Sequence, residues 1–119
     1  MREHDFKRRN SHTSRVRMTN RILKKYPGRI PVIVEPYMRD SSIPILDKTK
    51  FLVPADVTLD QFKAIIYKRL DISPSEAIYL FCNNKLLSSG NHQFHYIYSF
   101  HKDKDGFLYF YYSLENTYG

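Results

Sequence analysis

Two stretches of this chain are apolar at every position: Ile30 to Val34 within "RIPVIVEPY", and Phe107 to Tyr112 within "GFLYFYYSL". Both are rich in β-branched or aromatic residues and read as strands. A strand with one wet face alternates apolar and polar side chains. Unbroken apolarity therefore requires cover on both faces of the sheet. One helix cannot cover two faces, so helices must lie on both sides of this sheet.

The rest of the chain supplies them. "TLDQFKAIIYKRL" is the clearest helix: Thr58 and Gln61 form a capping box, and Leu59, Phe62, Ile66 and Leu70 make one stripe with Ile65 at its border. Upstream, a helix is expected from about Ser11 to Lys25, with Val16, Leu23 and Tyr26 as one stripe and Met18 and Ile22 as its neighbour; Pro27-Gly28 ends it. Residues 1–10 are polar and expected to be mobile. Lys50 to Val53 reads as a second strand stopped by Pro54, and "AIYLFC" as a third strand closed by a turn at Asn83-Asn84. "HQFHYIYSFH" reads as a short helix and "KDKDG" as a turn. The order is strand, strand, capped helix, strand, short helix, strand. That is an α+β, ubiquitin-like β-grasp: a four-stranded mixed sheet packed on a helix, with an additional N-terminal helical segment. Two elements side by side on the second face would leave a groove. The expected organisation is a basic arm and helix over 1–25, a core over 26–113, and a flexible tail over 114–119.

At 119 residues there is room for one core. No apolar run approaches the ~20 residues of a membrane helix, and "MREHDFKRRN" lacks a signal-peptide core. A single cysteine, Cys82, excludes an internal disulfide framework and makes the reducing cytosol the default compartment. It sits mid-strand between apolar neighbours and reads as a core residue rather than a nucleophile. No zinc spacing, phosphate loop or nucleophile–base pair is present, so neither a cofactor nor enzymatic activity is expected. The net charge of +7 is uneven: residues 1–29 carry +8 and the remaining ninety −1. Such an arm attracts anionic partners by salt-sensitive forces, or is simply a solvated tail. Nucleic acid is disfavoured, because the arm has no interleaved aromatics beyond Phe6.

"KKYPGRIPVIVE", "KFLVPADVTLDQF" and "DGFLYFYYSLENTYG", three segments in order, carry a resemblance to the autophagy ubiquitin-like modifiers, which include the GABA-receptor-associated protein and microtubule-associated light chain three. The likeness covers roughly Ile22 to Gly119 and fades upstream. It implies a β-grasp with N-terminal helices, attached through its terminal glycine to phosphatidylethanolamine. Implied partners are activating and conjugating enzymes, a processing or deconjugating cysteine protease, and cargo receptors whose motif is an aromatic residue followed three positions later by Leu, Ile or Val. The implied location is cytoplasmic, and the autophagosome membrane once lipidated. Anionic lipid or tubulin are the partners it suggests for the arm. Many members carry residues after the glycine that the protease removes; this sequence stops at Gly119, either encoded in mature form or trimmed to it.

Mapped onto this chain, the resemblance places the conjugation site at Gly119. It places an aromatic pocket at Ile22, Pro31, Ile33, Lys50, Leu52 and Phe107, and an aliphatic pocket at Phe51, Val53, Pro54, Val57, Phe62 and Ile65. Alternation along the first strand agrees in part, sending Pro31 and Ile33 away from the main core and toward the N-terminal helix. Phe107 does the same on its strand, so simple packing on that helix would explain these residues equally well. Lys50 to Val53 would be an edge strand able to accept a peptide. Arg29, Lys48, Lys50 and Arg69 would meet acidic residues flanking the motif, or are ordinary solvated charges. Met18 stands where many members carry an acidic residue, one turn before Ile22, so motif preference is expected to differ. A second function class remains open: an unconjugated adaptor that uses the same groove and the arm for trafficking or cytoskeletal partners.

Overall fold

In the computed structural model, which describes residues 5–38, 44–87 and 90–114, the apolar strands lie side by side at the middle of one sheet. Strands β1 (Arg29–Pro36), β2 (Lys50–Pro54), β3 (Ile78–Cys82), β4 (Lys85–Leu86) and β5 (Leu108–Leu114) form a five-stranded sheet in the order β2-β1-β5-β3-β4. β1 and β5 run parallel, with Val32 opposite Leu108 and Val34 opposite Phe110; β2 and β3 flank them antiparallel. Among the described residues there are four helices: α1 (Asp5–Arg9), α2 (His12–Lys25), α3 (Leu59–Leu70) and α4 (Phe94–His101).

Both faces of the central strands are covered, as their apolarity demands. On one face Val32, Val34, Leu108, Phe110 and Tyr112 pack with Leu59, Phe62, Ile66 and Leu70 of α3 and with Phe94 and Ile97 of α4. α3 begins at the capping box, where the Thr58 side chain accepts from Gln61 N and Gln61 Oε1 accepts from Thr58 N. On the other face Ile33, Phe107, Tyr109 and Tyr111 pack with Ile22 of α2, Phe81 of β3, and the half-buried Phe6 and Met18.

The structure departs from the sequence reading in four places. The sheet has a fifth strand, because Asn83 and Asn84 take left-handed φ values of 53° and 62° and close a tight hairpin onto β4; paired left-handed residues match the twist of the strands they join. Leu114 belongs to β5, is paired with Ile78 and is 3% exposed, so the strand runs one residue past the expected boundary. Part of the first ten residues is structured: Phe6 meets Phe107 edge-on at 5.1 Å, and its backbone N–H donates to Glu35 Oε2 at 3.0 Å. The face that α2 buries is Arg15, Thr19 and Ile22, whereas Val16 and Leu23 are half-buried and Tyr26 is exposed.

A polar face is buried on α2 because Asp105 lies beneath it. Arg15 Nε donates to Asp105 Oδ2 at 2.7 Å, and Thr19 Oγ1 donates to the Asp105 carbonyl at 2.6 Å. Gly106 makes this approach possible. Its φ is +94°, and a Cβ there would stand 2.6 Å from Thr19 Oγ1 and 2.9 Å from Thr19 Cβ. Gly106→Ala is expected to lift α2 from the sheet and lower stability by ~1–3 kcal/mol, combining backbone strain with overpacking. Urea melts of the variant, read with hydrogen exchange along α2, test this; protection of α2 equal to that of the parent chain would refute it.

Candidate functional site

β2 ends the strand order, so one side of it faces away from the sheet. Its alternation is strict: Phe51 and Val53 are buried against the main core, while Leu52 and Pro54 are half-buried and Lys50 is exposed on the other parity. Pro31 lies opposite Leu52 and has no N–H to give, so this pair lacks ladder bonds and the Leu52 carbonyl turns outward. There it accepts from Arg29 Nη1 at 3.1 Å. The same parity applies to Lys50, opposite Ile33. A strand edge with outward carbonyls and N–H groups is what an extended peptide needs.

The expected aromatic-pocket residues do come together. Ile22, Ile33 and Phe107 are buried in one cluster, with Leu52 packed against it at the surface; Pro31 is buried on the same parity, and Lys50 stands at the rim. These side chains therefore also serve as core between α2 and the sheet, with Leu52 as the half-exposed member.

The aliphatic set divides. Phe51, Val53 and Phe62 belong to the main core, at 6%, 5% and 0% exposure, with Phe51 meeting Phe62 edge-on at 6.0 Å. Val57 and Pro54 are half-buried and Ile65 is exposed, so these three form whatever surface is offered there. Phe51 is consequently a core side chain rather than a rim.

The four basic residues differ in how free they are. Lys48 Nζ sits 4.7 Å from the Phe51 ring centroid and the Arg69 guanidinium 5.5 Å, so both cations hold that ring. Arg69 Nη1 also pairs with Asp47 at 3.0 and 3.1 Å, and Arg29 is engaged with the edge carbonyl. Lys50 is exposed beside that edge. Gly119 lies outside the described residues, as do Glu115 to Tyr118.

The network under α2 was invisible from spacing. Asp105 Oδ2 takes both Arg15 and the Tyr109 hydroxyl, at 2.7 and 2.5 Å, and Oδ1 takes Phe107 N at 2.8 Å. Lys7 Nζ meets Asp103 at 2.8 Å. "KDKDG" alone signals only a turn. Cys82 is fully buried, and desolvation pushes its thiol up to about 12, which leaves it a core residue with no thiolate to offer. Among the described residues no cluster of His, Cys, Asp or Glu could hold a metal ion, and no helix is long and apolar enough to cross a membrane.

Comparison with known proteins gives these features their context. The family model described as autophagy protein Atg8, ubiquitin-like, matches residues 14–119. The likeness thus begins upstream of Ile22. Microtubule-associated protein 1 light chain 3 gamma of Homo sapiens is 45% identical over 114 residues, 96% of this chain and 78% of that protein. Autophagy-related protein 8c of Arabidopsis thaliana is 46% identical over 117 residues, 98% of this chain and 92% of that one. The crystal structure of Trypanosoma brucei ATG8 superposes with a TM-score of 0.86 at 35% identity, covering 96% of this chain and 97% of that one. Fold, matched span and level of identity agree, and this chain belongs to the Atg8 family of ubiquitin-like autophagy proteins.

Proposed function

We propose that this chain is a ubiquitin-like modifier, joined through Gly119 to phosphatidylethanolamine, that recruits cargo receptors during autophagosome formation. It is made in the cytoplasm, handled by activating and conjugating enzymes and by a cysteine protease, and held at the autophagosome membrane once lipidated. The observation that carries the recruiting role is the outward edge of β2, where the Leu52 carbonyl opens beside the half-exposed Leu52 side chain and the exposed Lys50. A receptor segment of the form acidic-aromatic-x-x-Leu adds to this edge as a strand. Its aromatic side chain enters at Leu52, above Ile22, Ile33 and Phe107, while its leucine lies over Pro54, Val57 and Ile65. Its acidic flank meets Lys50 and releases Arg29 from the edge.

Burying each anchor contributes ~1.5–3 kcal/mol, ordering the peptide offsets much of that, and a micromolar constant, about −8 kcal/mol, is the expectation. Calorimetry with such a peptide tests the reading. Leu52→Ala weakens binding roughly tenfold at unchanged fold, the loss of about one buried aliphatic contact. Lys50→Glu weakens it further for acidic flanks and less at high salt. Phe51→Ala belongs to a different class, since removing a fully packed ring costs ~3–5 kcal/mol of fold stability. If the parent chain and both edge variants bind the peptide equally, the β2 groove is not the receptor site.

A further inference from the structure

Helix α4 carries an aromatic row that the proposed receptor site at the β2 edge does not use. Phe94 and Ile97 bury one side of the helix in the main core. On the solvent side, His92 stacks on Tyr96 with centroids 4.7 Å apart and planes 15° apart, and Tyr96 meets Phe100 at 4.9 Å. The spacing is four residues each time, so the rings form one ladder along the helix. Tyr96 is 46% exposed and Phe100 68%, the most exposed of the described large hydrophobic residues. A phenylalanine left in water gains nothing for this fold, which points to a partner that covers it.

The surroundings say what kind. Lys102 and Lys104, both exposed, follow the helix directly, the Lys102 ammonium lying 5.3 Å from the Tyr98 ring centroid. Lys85 on β4 lies close by: Asn83 Nδ2 donates to the His101 carbonyl at 3.1 Å, and the His101 pKa is lowered, first by burial and then by the Lys85 charge. The acids on this side are engaged, Asp103 by Lys7 at 2.8 Å and Asp105 by Arg15 at 2.7 Å. Asp56 and Asp60 lie instead at the other end of α4, beside the segments that bond to His95 and Gly90. The Phe100 end is therefore cationic as well as aromatic. A row of rings standing out from a helix is convex, which suits a plane better than it grips a peptide, and Tyr and Phe beside lysines match the boundary between lipid headgroups and acyl chains.

We propose that the Tyr96–Phe100 face of α4, with Lys85, Lys102 and Lys104 around it, docks on an anionic phospholipid bilayer, with Phe100 entering the headgroup–acyl boundary. This surface is separate from the described end of β5. Tyr98 Oη donates to the Gly106 carbonyl at 2.7 Å, which places α4 by the start of β5. The tail leaves from Leu114, seven residues along the strand and thus on the order of 20 Å away. The docking face goes beyond the proposed function and holds whether or not Gly119 is conjugated.

The chain has no tryptophan, so Phe100→Trp gives a single reporter in an otherwise silent background. With unconjugated protein and vesicles of phosphatidylcholine and phosphatidylserine, its emission shifts to the blue and is quenched by brominated acyl chains. Vesicles of phosphatidylcholine alone leave it unchanged. Lys68→Trp, on the exposed side of α3, shows no shift with either. In the tryptophan-free chain, Tyr96→Ala with Phe100→Ala lowers partitioning onto the anionic vesicles about tenfold or more with the circular dichroism unchanged. Lys102→Glu with Lys104→Glu weakens it most at low salt. Co-sedimentation without any change in the Phe100→Trp emission would put the membrane contact elsewhere, for instance on Arg17, Arg21 and Lys24 of α2, and would overturn the proposal. So would absence of vesicle binding, or concentration-dependent dimers abolished by the alanine pair in a chain whose emission ignores vesicles, which would assign the face to a second copy.

Discussion

A chain that lacks Gly119 is expected to form no lipid-linked species, with its melting temperature unchanged from the parent. Glycine has no Cβ, so its carbonyl is open to attack and the tail can thread a narrow enzyme channel; a bulkier terminal residue hinders both. The fold is expected to be unaffected, because β5 is paired through Leu114, which lies opposite Ile78 and is buried, five residues before Gly119. The same geometry fixes how far the chain can be shortened. Deletion to Glu115 is expected to leave the described sheet whole, whereas removal of Leu114 is expected to open the end of the β3–β5 ladder and the core cluster beside it. Intact mass after incubation with the activating and conjugating enzymes and phosphatidylethanolamine vesicles decides the matter. A lipid-linked product from the truncated chain would refute the role of Gly119. Failure of the full chain to form one would favour the unconjugated adaptor, and calorimetry at the β2 edge would still report separately on receptor binding.

Asp105→Ala is expected to cost ~3–5 kcal/mol, the cost of stranding one partner of a buried ion pair. The side chains of Arg15 and Asp105 are 10% and 0% exposed. Removing the carboxylate leaves Arg15 Nε, the Tyr109 hydroxyl and Phe107 N without their acceptor, although Arg15 Nη1 keeps its bonds to the Lys7 and Asn10 carbonyls. For a chain this size the melting temperature falls by about 10 °C or more. α2 should lose exchange protection before α3 does, since α3 rests on the opposite face. Lys7→Ala, by contrast, removes a half-exposed pair with Asp103 and costs at most ~1 kcal/mol. The Lys7 contact also gives acid sensitivity with a defined sign. Burial works to raise the Asp103 pKa, but the bond from Lys7, the Asp105 N–H and the charges of Lys7 and Arg15 outweigh it and hold it below the ordinary 3.8. Its contribution is therefore full above pH 3.8 and is lost as the pH falls through the lower folded value. Equal thermal stability of the Asp105→Ala chain and its parent would show that the α2 contacts, not this carboxylate, hold the helix.

What could be read from the residues alone was whatever rests on local chemistry or period. The capping box at Thr58 and Gln61, the stripe of α3, and the two-sided apolarity of β1 and β5 are statements about neighbours in sequence. Each appears in the structure as written. The turn at Asn83 and Asn84 was equally legible, and its left-handed pair carries the short β4 with it. The tertiary structure alone decided which face of α2 turns inward. Periodicity favoured Val16, Leu23 and Tyr26, yet Arg15, Thr19 and Ile22 are buried, because Asp105 and Gly106 arrive under the helix from about ninety residues away. The division of the receptor-site residues was likewise hidden. Leu52 and Phe51 are adjacent in sequence, and only pairing with β1 sends one to the open edge and the other under α3. Hydrophobic pattern records that a residue prefers to leave water; it carries no information about which distant group will meet it there.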